Sequence, residues 1–155
     1  MLGLIDGYSR LAWVEVLESK RALDVMFAVL KAFNILHFRY GIDVDAVMSD
    51  NGSEFGGGRY SRTKSSHPFE RLLEMAIRHK YTLPYRPQTN GKIECFWWTL
   101  EEDFLEGSLY EDIDDLKDAL LGFLVYYNDH RSHSSLQGLT PKEFREKEQK
   151  CKLIR

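Results

Sequence analysis

Cysteine is scarce in this 155-residue sequence: only Cys95 and Cys151 occur, and they lie far apart. Two such residues do not make the disulfide framework that stabilises small secreted domains, and they fit free thiols in a reducing compartment. They are also too few for a zinc ribbon, which needs four ligands. We therefore expect an intracellular, soluble protein.

Long hydrophobic runs are also missing. No apolar segment approaches the roughly 20 residues that a membrane helix needs, and the segment Met1 to Ile5 is too short and lacks the basic start of a signal peptide. With 43% hydrophobic and 13% aromatic residues, the chain suits a globular domain with a real core. We predict a core domain over residues 1–148, a tail over 149–155 and no membrane partner.

An overall excess of basic charge is lacking too, since the net charge is −3. The charge is unevenly distributed, however. Between Arg59 and Lys92 there are eight lysines or arginines and two glutamates, whereas between Glu101 and Asp118 there are nine acidic residues and one lysine. This asymmetry fits a protein with one DNA-facing side. Two ordinary solvated faces give the same pattern, and charge alone does not decide between them.

Apolar periodicity predicts strands at the start of the chain and a long helix after them. Leu2 to Ile5 and Leu11 to Leu17 are expected to form a hairpin across a turn-like segment. Apolar residues then recur at helical spacing from Ala22 to about Tyr40, and Gly41 marks the end of that helix. We expect its aromatic positions to lie in the core. The apolar positions of this helix are Leu23, Met26, Phe27, Leu30, Phe33 and Leu36.

The rest of the chain is predicted to contain two short strands and four helices. In order, they are the strand Val44 to Met48, a basic loop from Gly56 to Ser66, a helix opened by Pro68, a brief strand Tyr81 to Leu83, an irregular segment Pro84 to Gly91, and helices from Lys92, from Ile113 to Tyr127 and from Pro141. Thr140 is the expected N-cap of the last helix. Strands alternating with helices, followed by helices, indicate an α/β or α+β domain.

Asp50 is the first candidate site residue. It stands where the strand Val44 to Met48 ends, beside Asn51 and Gly52, a dipeptide suited to tight turns. A carboxylate at a strand end is well placed to project into a cleft. The same residues are also ordinary turn chemistry, and taken alone they favour that interpretation.

Glu94 is the second candidate. It lies in the first turn of the helix from Lys92, where a negative charge also suits the helix dipole. The functional interpretation pairs it with Asp50 across a cleft as ligands for Mg²⁺, a hard cation that prefers a few carboxylates plus water. Two metals held in this way activate a nucleophilic water or hydroxyl and stabilise the leaving oxygen of a phosphodiester.

Ordered motifs make the interpretation specific. Ile5–Arg10 (IDGYSR), Ser49–Phe55 (SDNGSEF) and Pro84–Glu94 (PYRPQTNGKIE) resemble the core of insertion-sequence transposases and retroviral-type integrases. The ending, Tyr126–His133 (YYNDHRSH) with Thr140–Phe144 (TPKEF), resembles the tail of the bacterial transposase branch. The resemblance covers nearly the whole chain.

The resemblance implies a fold, a reaction and a set of site residues. The fold would be an α/β, RNase H-like mixed sheet flanked by helices, and the reaction metal-dependent phosphoryl transfer on DNA during transposition or integration. Asp50 would be the second and Glu94 the third carboxylate of the catalytic, metal-binding triad, with Mg²⁺ or Mn²⁺ as cofactor. Lys92, Arg86 and Asn90 would bind DNA. A homodimer or higher multimer is expected, in the cytoplasm and nucleoid-associated in a bacterium.

The sequence departs from the family at its start. The family's first aspartate lies on the first core strand, in a string resembling His-Val-Asp-Thr, and no such string precedes Leu4. Asp6 matches a later element at a strand end and is not expected to replace it. We therefore expect the first strand to be absent, metal binding to be weak and the isolated chain to be inactive, because about one carboxylate remains per ion. Two alternatives stay open: a non-catalytic DNA-binding or dimerisation relic of a transposase, and an RNase H-like nuclease of another kind.

Three further features have competing interpretations. Trp97 and Trp98 are adjacent on a predicted helix, so we expect one to point inward and one outward. His130 and His133 are spaced like a metal pair, but a helix-ending cap or a docking contact is the expected role. The basic loop from Gly56 to Ser66 makes the spacing between the two candidate carboxylates longer than is usual in the family, and it either touches DNA or is a surface loop.

Overall fold

In a computed structural model, the chain folds into two compact units. The first consists of Met1–Leu2 with Glu15–Gly91, and the second of Gly3–Val14 with Lys92–Arg155. The structure describes residues 1–50, 52–56, 67–74, 77–81 and 90–153. Within these residues, no helix combines the length and the apolar composition that crossing a membrane requires.

The first unit contains a long helix, a short helix and a pair of parallel strands. Its elements are α1 (Ala22–Tyr40), β3 (Ala46–Ser49), a 3₁₀-helical turn (Ser53–Phe55), α2 (Pro68–Glu74) and β4 (Arg78–Tyr81). β3 and β4 pair in parallel, with Ala46 opposite Arg78 and Ser49 opposite Tyr81. A parallel pair needs a crossover connection, and here that connection contains α2.

α1 has the predicted limits but not the predicted buried face. Gly41 ends it with φ at 63°, a left-handed conformation that suits glycine. The prediction that its aromatic positions lie in the core holds for Tyr40 but is wrong for Phe27, which is 62% exposed. Both faces of α1 are apolar, so periodicity did not select between them; the buried one carries mostly small side chains, which let neighbouring elements approach closely. Its members are Val25, Ala28, Val29, Ala32, Leu36 and Tyr40.

β4 begins earlier than predicted, at Arg78 instead of Tyr81. Its side chains alternate, with Arg78 and Lys80 exposed and His79 and Tyr81 half-buried. This is the period of a strand, but the inward residues are polar, so a search for apolar alternation misses it. Residues 82 and 83 of the predicted strand lie outside the described residues, as do 57–66 of the predicted basic loop and 84–89 of the irregular segment.

The second unit contains most of a hairpin and three helices. β1 (Leu2–Ile5) and β2 (Ala12–Glu15) pair with each other, as predicted. The helices are α3 (Gly91–Leu100), α4 (Ile113–Val125) and α5 (Pro141–Leu153). α3 continues into a π-helical turn at Glu101–Leu105 and α4 into another at Tyr126–His130, which is followed by a 3₁₀-helical turn at Ser134–Leu136.

The start of α5 confirms the predicted cap. The Glu143 backbone N–H donates to Thr140 Oγ1 at 3.2 Å, and the Thr140 backbone N–H donates to a Glu143 carboxylate oxygen at 2.9 Å. These two bonds form a capping box, which satisfies amides that the first helical turn leaves unpaired. α5 continues through residue 148 to Leu153. The division into a core over 1–148 and a tail over 149–155 stays a prediction.

A buried asparagine joins the tail motif to the hairpin within the second unit. Asn128 is 0% exposed. Its Oδ1 accepts from the Ala12 backbone N–H at 2.9 Å, and its Nδ2 donates to the Ala12 carbonyl at 2.8 Å. The side chain therefore pairs with β2 as a neighbouring strand would, which keeps these backbone groups from being buried unpaired.

Candidate active site

Asp50 directly follows β3 and is exposed. Its Oδ1 accepts a hydrogen bond from the Gly52 backbone N–H at 2.9 Å, the arrangement by which aspartate closes a turn on its own backbone. No hydrogen bond within the described residues engages its Oδ2. The side chain therefore closes the turn with one of its two oxygens.

A buried polar cluster, formed by Ser49, Glu70, His79 and Tyr81, lies behind the end of β3. The Ser49 hydroxyl donates to the Asp50 backbone carbonyl at 2.9 Å and lies 2.8 Å from His79 Nε2. On the other side of the ring, His79 Nδ1 lies 3.1 Å from Glu70 Oε1, and these two side chains are 4% and 6% exposed. The Tyr81 hydroxyl donates to the same Glu70 oxygen.

The polar cluster also reaches the chain beyond Asp50. The Tyr81 hydroxyl lies 2.7 Å from the backbone carbonyl of Phe55, in the 3₁₀-helical turn. Burial raises the pKa of Tyr81, and the neighbouring carboxylate of the cluster raises it further. The phenol therefore remains a hydrogen-bond donor. The fully buried ring of Phe69 packs at 5.0 Å from the Phe55 ring and at 5.2 Å from the imidazole of the cluster.

Glu94 lies on the exposed face of α3, in its first turn. The opposite face is buried through Phe96, Thr99 and Leu100. Phe96 is 1% exposed, and its ring lies edge-on to that of Tyr127 with centroids 5.0 Å apart. Because adjacent residues on a helix are about 100° apart, this packing directs Glu94 outward.

The predicted DNA-binding residues are described in part. Lys92 is exposed, and its Nζ donates to the backbone carbonyl of Gly7. Asn90 lies half-buried in the turn before α3. Arg86 lies outside the described residues. Lys92 therefore has a local structural contact with the hairpin turn in addition to its predicted role.

Asp6 closes the turn of the hairpin. Its Oδ2 accepts hydrogen bonds from the Ser9 backbone N–H at 2.7 Å and from the Ser9 hydroxyl at 2.6 Å. Its own backbone N–H donates to the Leu11 carbonyl at 2.7 Å. These contacts agree with the interpretation of Asp6 as a turn residue of the later motif.

The described residues contain no group of three His, Cys, Asp or Glu side chains that could hold a metal ion. Asp50 belongs to the first unit and Glu94 to the second. That the two carboxylates share metal ions across a cleft, and that a first strand is absent, both stay predictions.

One histidine of the pair in the tail motif, His133, has a packing role. The His133 ring lies edge-on to Tyr127 with centroids 4.9 Å apart, and its backbone N–H donates to the Leu139 carbonyl at 3.0 Å. Burial lowers the pKa of His133, and Arg131 lowers it further. Burial also raises the pKa of Tyr127 to about 12. These observations agree with the expected docking contact.

The tryptophan pair divides as predicted. Trp98 is 63% exposed, whereas Trp97 is half-buried. The Trp97 ring covers Gly3 so closely that a Cβ at that glycine would lie 2.5 Å from it. β1 therefore needs glycine at this position.

Sequence reasoning missed the polar cluster. Glu70 reads as an ordinary polar residue of a short helix, and His79 falls before the predicted strand. The available signal was the alternation in Arg78–Tyr81, which places the imidazole and the phenol on one side of a strand.

Sequence comparisons extend the motif evidence. Residues 75–141 match the family model described as an integrase core domain. The putative integrase ORF3 of Spiroplasma virus SpV1-C74 is 30% identical over 144 residues, which cover 90% of this chain and 40% of that protein. The putative transposase InsK for insertion sequence element IS150 of Escherichia coli (strain K12) is 31% identical over 97 residues, which cover 63% of this chain and 31% of that protein. The chain thus spans less than half the length of these relatives.

Solved structures show the fold. The catalytic core domain of BIV integrase matches with a TM-score of 0.68 at 24% identity, covering 96% of this chain and 86% of that one. The catalytic core domain of HTLV-2 integrase in complex with magnesium matches with a TM-score of 0.55 at 19% identity, covering 92% and 82%. The resemblance drawn from the motifs is therefore confirmed: residues 75–141 match the integrase core model, and the chain has an α/β, RNase H-like fold similar to that of integrase catalytic cores.

Proposed function

We propose that this chain is most of the catalytic core of a protein that carries out metal-dependent phosphoryl transfer on DNA during transposition or integration. The observation that carries the proposal is Asp50, an exposed carboxylate at the end of β3 within SDNGSEF, in a chain of integrase-core sequence and fold. Asp50 and Glu94 are the proposed catalytic residues. DNA is the proposed substrate, a homomultimer the working form, and the interior of the cell the place of action.

The donors present fit a divalent cation. Asp50 Oδ2 and the exposed Glu94 carboxylate supply oxygen ligands, the type that Mg²⁺ and Mn²⁺ prefer. Such cations, when bound, supply activation of a water or hydroxyl nucleophile and stabilisation of the leaving oxygen. Lys92, Arg86 and Asn90 are proposed to bind the DNA backbone and so to position it. The magnesium complex of the HTLV-2 core supports the choice of metal.

We further propose that these 155 residues alone bind the cation weakly and are inactive. The family's first aspartate has no counterpart before Leu4. Asp6, the first carboxylate in the sequence, is engaged in its own turn. With about one carboxylate per ion, two cations would be poorly ordered.

The test compares the chain with a fusion that adds an aspartate-bearing strand ahead of Leu2, and measures Mn²⁺-dependent nicking of a supercoiled plasmid. We expect the fusion to nick the plasmid and the unmodified chain not to do so. Introducing Asp50→Asn or Glu94→Gln into the fusion should lower the nicking rate by about 100-fold or more. Asp45→Asn and Glu102→Gln, at exposed carboxylates outside the motifs, are the matched controls. Persistence of nicking in the Asp50→Asn fusion contradicts the proposal. A fusion that binds DNA without cleaving it favours the non-catalytic alternative.

A further inference from the structure

The polar cluster of Ser49, Glu70, His79 and Tyr81 is unfavourable to bury. A carboxylate and an imidazole that are 6% and 4% exposed lose most of their hydration. Apolar residues of similar volume would be as stable or more stable at such positions. The polarity of the cluster therefore needs an explanation other than stability.

The contacts of the cluster reach the chain on both sides of Asp50, at Ser49 before it and at Phe55 after it. This segment is called the Asp50 turn below. On the amino side, the Ser49 hydroxyl donates to the Asp50 carbonyl at 2.9 Å and lies 2.8 Å from His79 Nε2. On the carboxyl side, the single proton of the Tyr81 hydroxyl faces both the Glu70 carboxylate and the Phe55 carbonyl, which lies 2.7 Å from the hydroxyl.

Glu70 holds the imidazole in this orientation. Its Oε1 lies 3.1 Å from His79 Nδ1. Within the described residues Nδ1 makes no hydrogen bond of good geometry, so the carboxylate contacts the ring closely without an aligned hydrogen bond. This close contact limits how the ring can turn and so helps to keep Nε2 at the Ser49 hydroxyl.

Gly56 shows how closely the chain after the turn packs against the cluster. Its φ is +102°, and a Cβ at this position would lie 2.9 Å from the Tyr81 hydroxyl and 3.3 Å from Glu70 Cγ. Only glycine fits this conformation and this space. The turn is thus bounded by the cluster on both sides.

We propose that Glu70, His79 and Tyr81 are positioning residues that act through Ser49 and Phe55 to hold the Asp50 turn in one conformation. This inference rests on the proposed role of Asp50 as a metal ligand. A metal-binding carboxylate needs to be held to within roughly 0.5 Å of its working geometry. Outer partners that orient metal ligands typically change metal affinity by about 10- to 100-fold.

The experiment uses the ¹⁵N-labelled chain and two readouts at Gly52: the solvent exchange rate of its amide, which donates to Asp50 Oδ1, and the Mn²⁺ concentration that broadens its signal. We expect Ser49→Ala to speed exchange several-fold and to raise the Mn²⁺ midpoint about 10-fold, and Ser49→Thr to restore both. Ser108→Ala is the matched control, because its hydroxyl also donates to a backbone carbonyl at 2.9 Å, that of Phe104 in the second unit.

A second pair of variants changes His79, the side chain that contacts the Ser49 hydroxyl. His79→Gln retains an amide that can form a hydrogen bond with this hydroxyl and is expected to keep both Gly52 readouts near those of the wild type. His79→Leu removes the hydrogen-bonding group and is expected to match Ser49→Ala.

Different failures are distinguishable. Unchanged exchange and Mn²⁺ midpoint in Ser49→Ala overturn the inference. So does a loss of protection throughout the first unit that Ser49→Thr does not reverse, since that indicates a merely structural role. If Mn²⁺ broadens the Gly52 signal neither in the wild-type chain nor in the fusion that carries the added strand, the proposed metal role of Asp50 fails, while the exchange readout still decides whether the cluster holds the turn.

Discussion

The two proposed site carboxylates are supported in different ways. Glu94 stands on a helix whose buried side packs through Phe96 against the ring of Tyr127. Asp50 stands at a strand end, before a turn, and behind it lies a polar cluster centred on His79. One support is apolar and the other consists of hydrogen bonds and a close contact between a carboxylate and an imidazole.

The difference follows from what each backbone leaves unsatisfied. A helix pairs its own backbone groups, so the direction of an exposed side chain is set once one face is buried. A strand end and the turn after it leave carbonyls and amides that need partners, and the turn has several accessible conformations. Apolar burial has no directional preference, whereas hydrogen bonds fix angles and distances. The polar support therefore occurs where the backbone alone does not determine the position of the carboxylate.

The largest effect is expected from removing the apolar support. Phe96→Ala deletes a ring that is 1% exposed and should lower the free energy of unfolding by about 3–5 kcal/mol. Urea-induced unfolding measures the loss. Trp98→Ala, on the same helix but 63% exposed, is the control and should cost about 0.5 kcal/mol or less. Equal costs would mean that α3 is not held by its aromatic face.

A smaller loss of unfolding free energy, partly recovered in a double variant, is expected from removing the polar support. His79→Leu leaves the Glu70 carboxylate buried without its imidazole and should cost about 3 kcal/mol. The double variant Glu70→Leu/His79→Leu removes both polar side chains and should recover part of that loss, as urea unfolding in a double-mutant cycle would show. In both variants the Gly52 amide should exchange with solvent faster than in the wild type, because both variants lack the imidazole that contacts the Ser49 hydroxyl. Costs that simply add would show that the pair is not coupled.

Elements limited by special backbone residues could be predicted from the sequence. Gly41 ends α1, and Thr140 caps α5. The motifs likewise located Asp50 at the end of a strand and Glu94 in the first turn of a helix. In each case the signal is local, because a few neighbouring residues decide the backbone conformation.

Features that depend on partners distant in sequence could not be predicted. α1 has two apolar faces, and only its neighbours in the unit decide which one is buried. β4 carries polar side chains inward because Glu70 and Ser49 are there to receive them. His79 is brought beside β3 by the parallel pairing of β3 and β4, and Glu70 lies on α2 in the connection between these strands. No short window of sequence reveals this arrangement.

The apolar support of Glu94 is expected to depend on pH through His133, which packs on Tyr127. Burial, and secondarily Arg131, lowers the folded-state pKa of His133. The unfolded chain binds this proton near the ordinary pKa of about 6.5, so stability falls as pH drops through that value and levels off below the lowered folded-state pKa. His133→Gln should therefore lose less stability than the wild type between about pH 7.5 and about pH 5, measured by urea unfolding.

The control for this effect is His130→Gln, at an exposed histidine of the same motif, which should retain the wild-type pH dependence. An unchanged slope in His133→Gln would assign the acid sensitivity to other groups. The effect should be smaller than the losses at Phe96 and His79, because it involves a single proton.

The smallest effect is expected when substitutions on the two faces of α1, the long helix of the unit that contains Asp50, are compared. Phe27→Ala, at a side chain that is 62% exposed, should change the free energy of unfolding by about 0.5 kcal/mol or less. Val29→Ala, which removes a smaller side chain that is 2% exposed, should cost about 2 kcal/mol. The sequence periodicity predicts the opposite order, since it places the aromatic ring in the core. Urea unfolding of this pair thus tests whether burial or side-chain size decides how much a residue of α1 contributes to the free energy of unfolding. A larger loss at Phe27 would mean that the face carrying Phe27 is the buried one, as the sequence periodicity predicts.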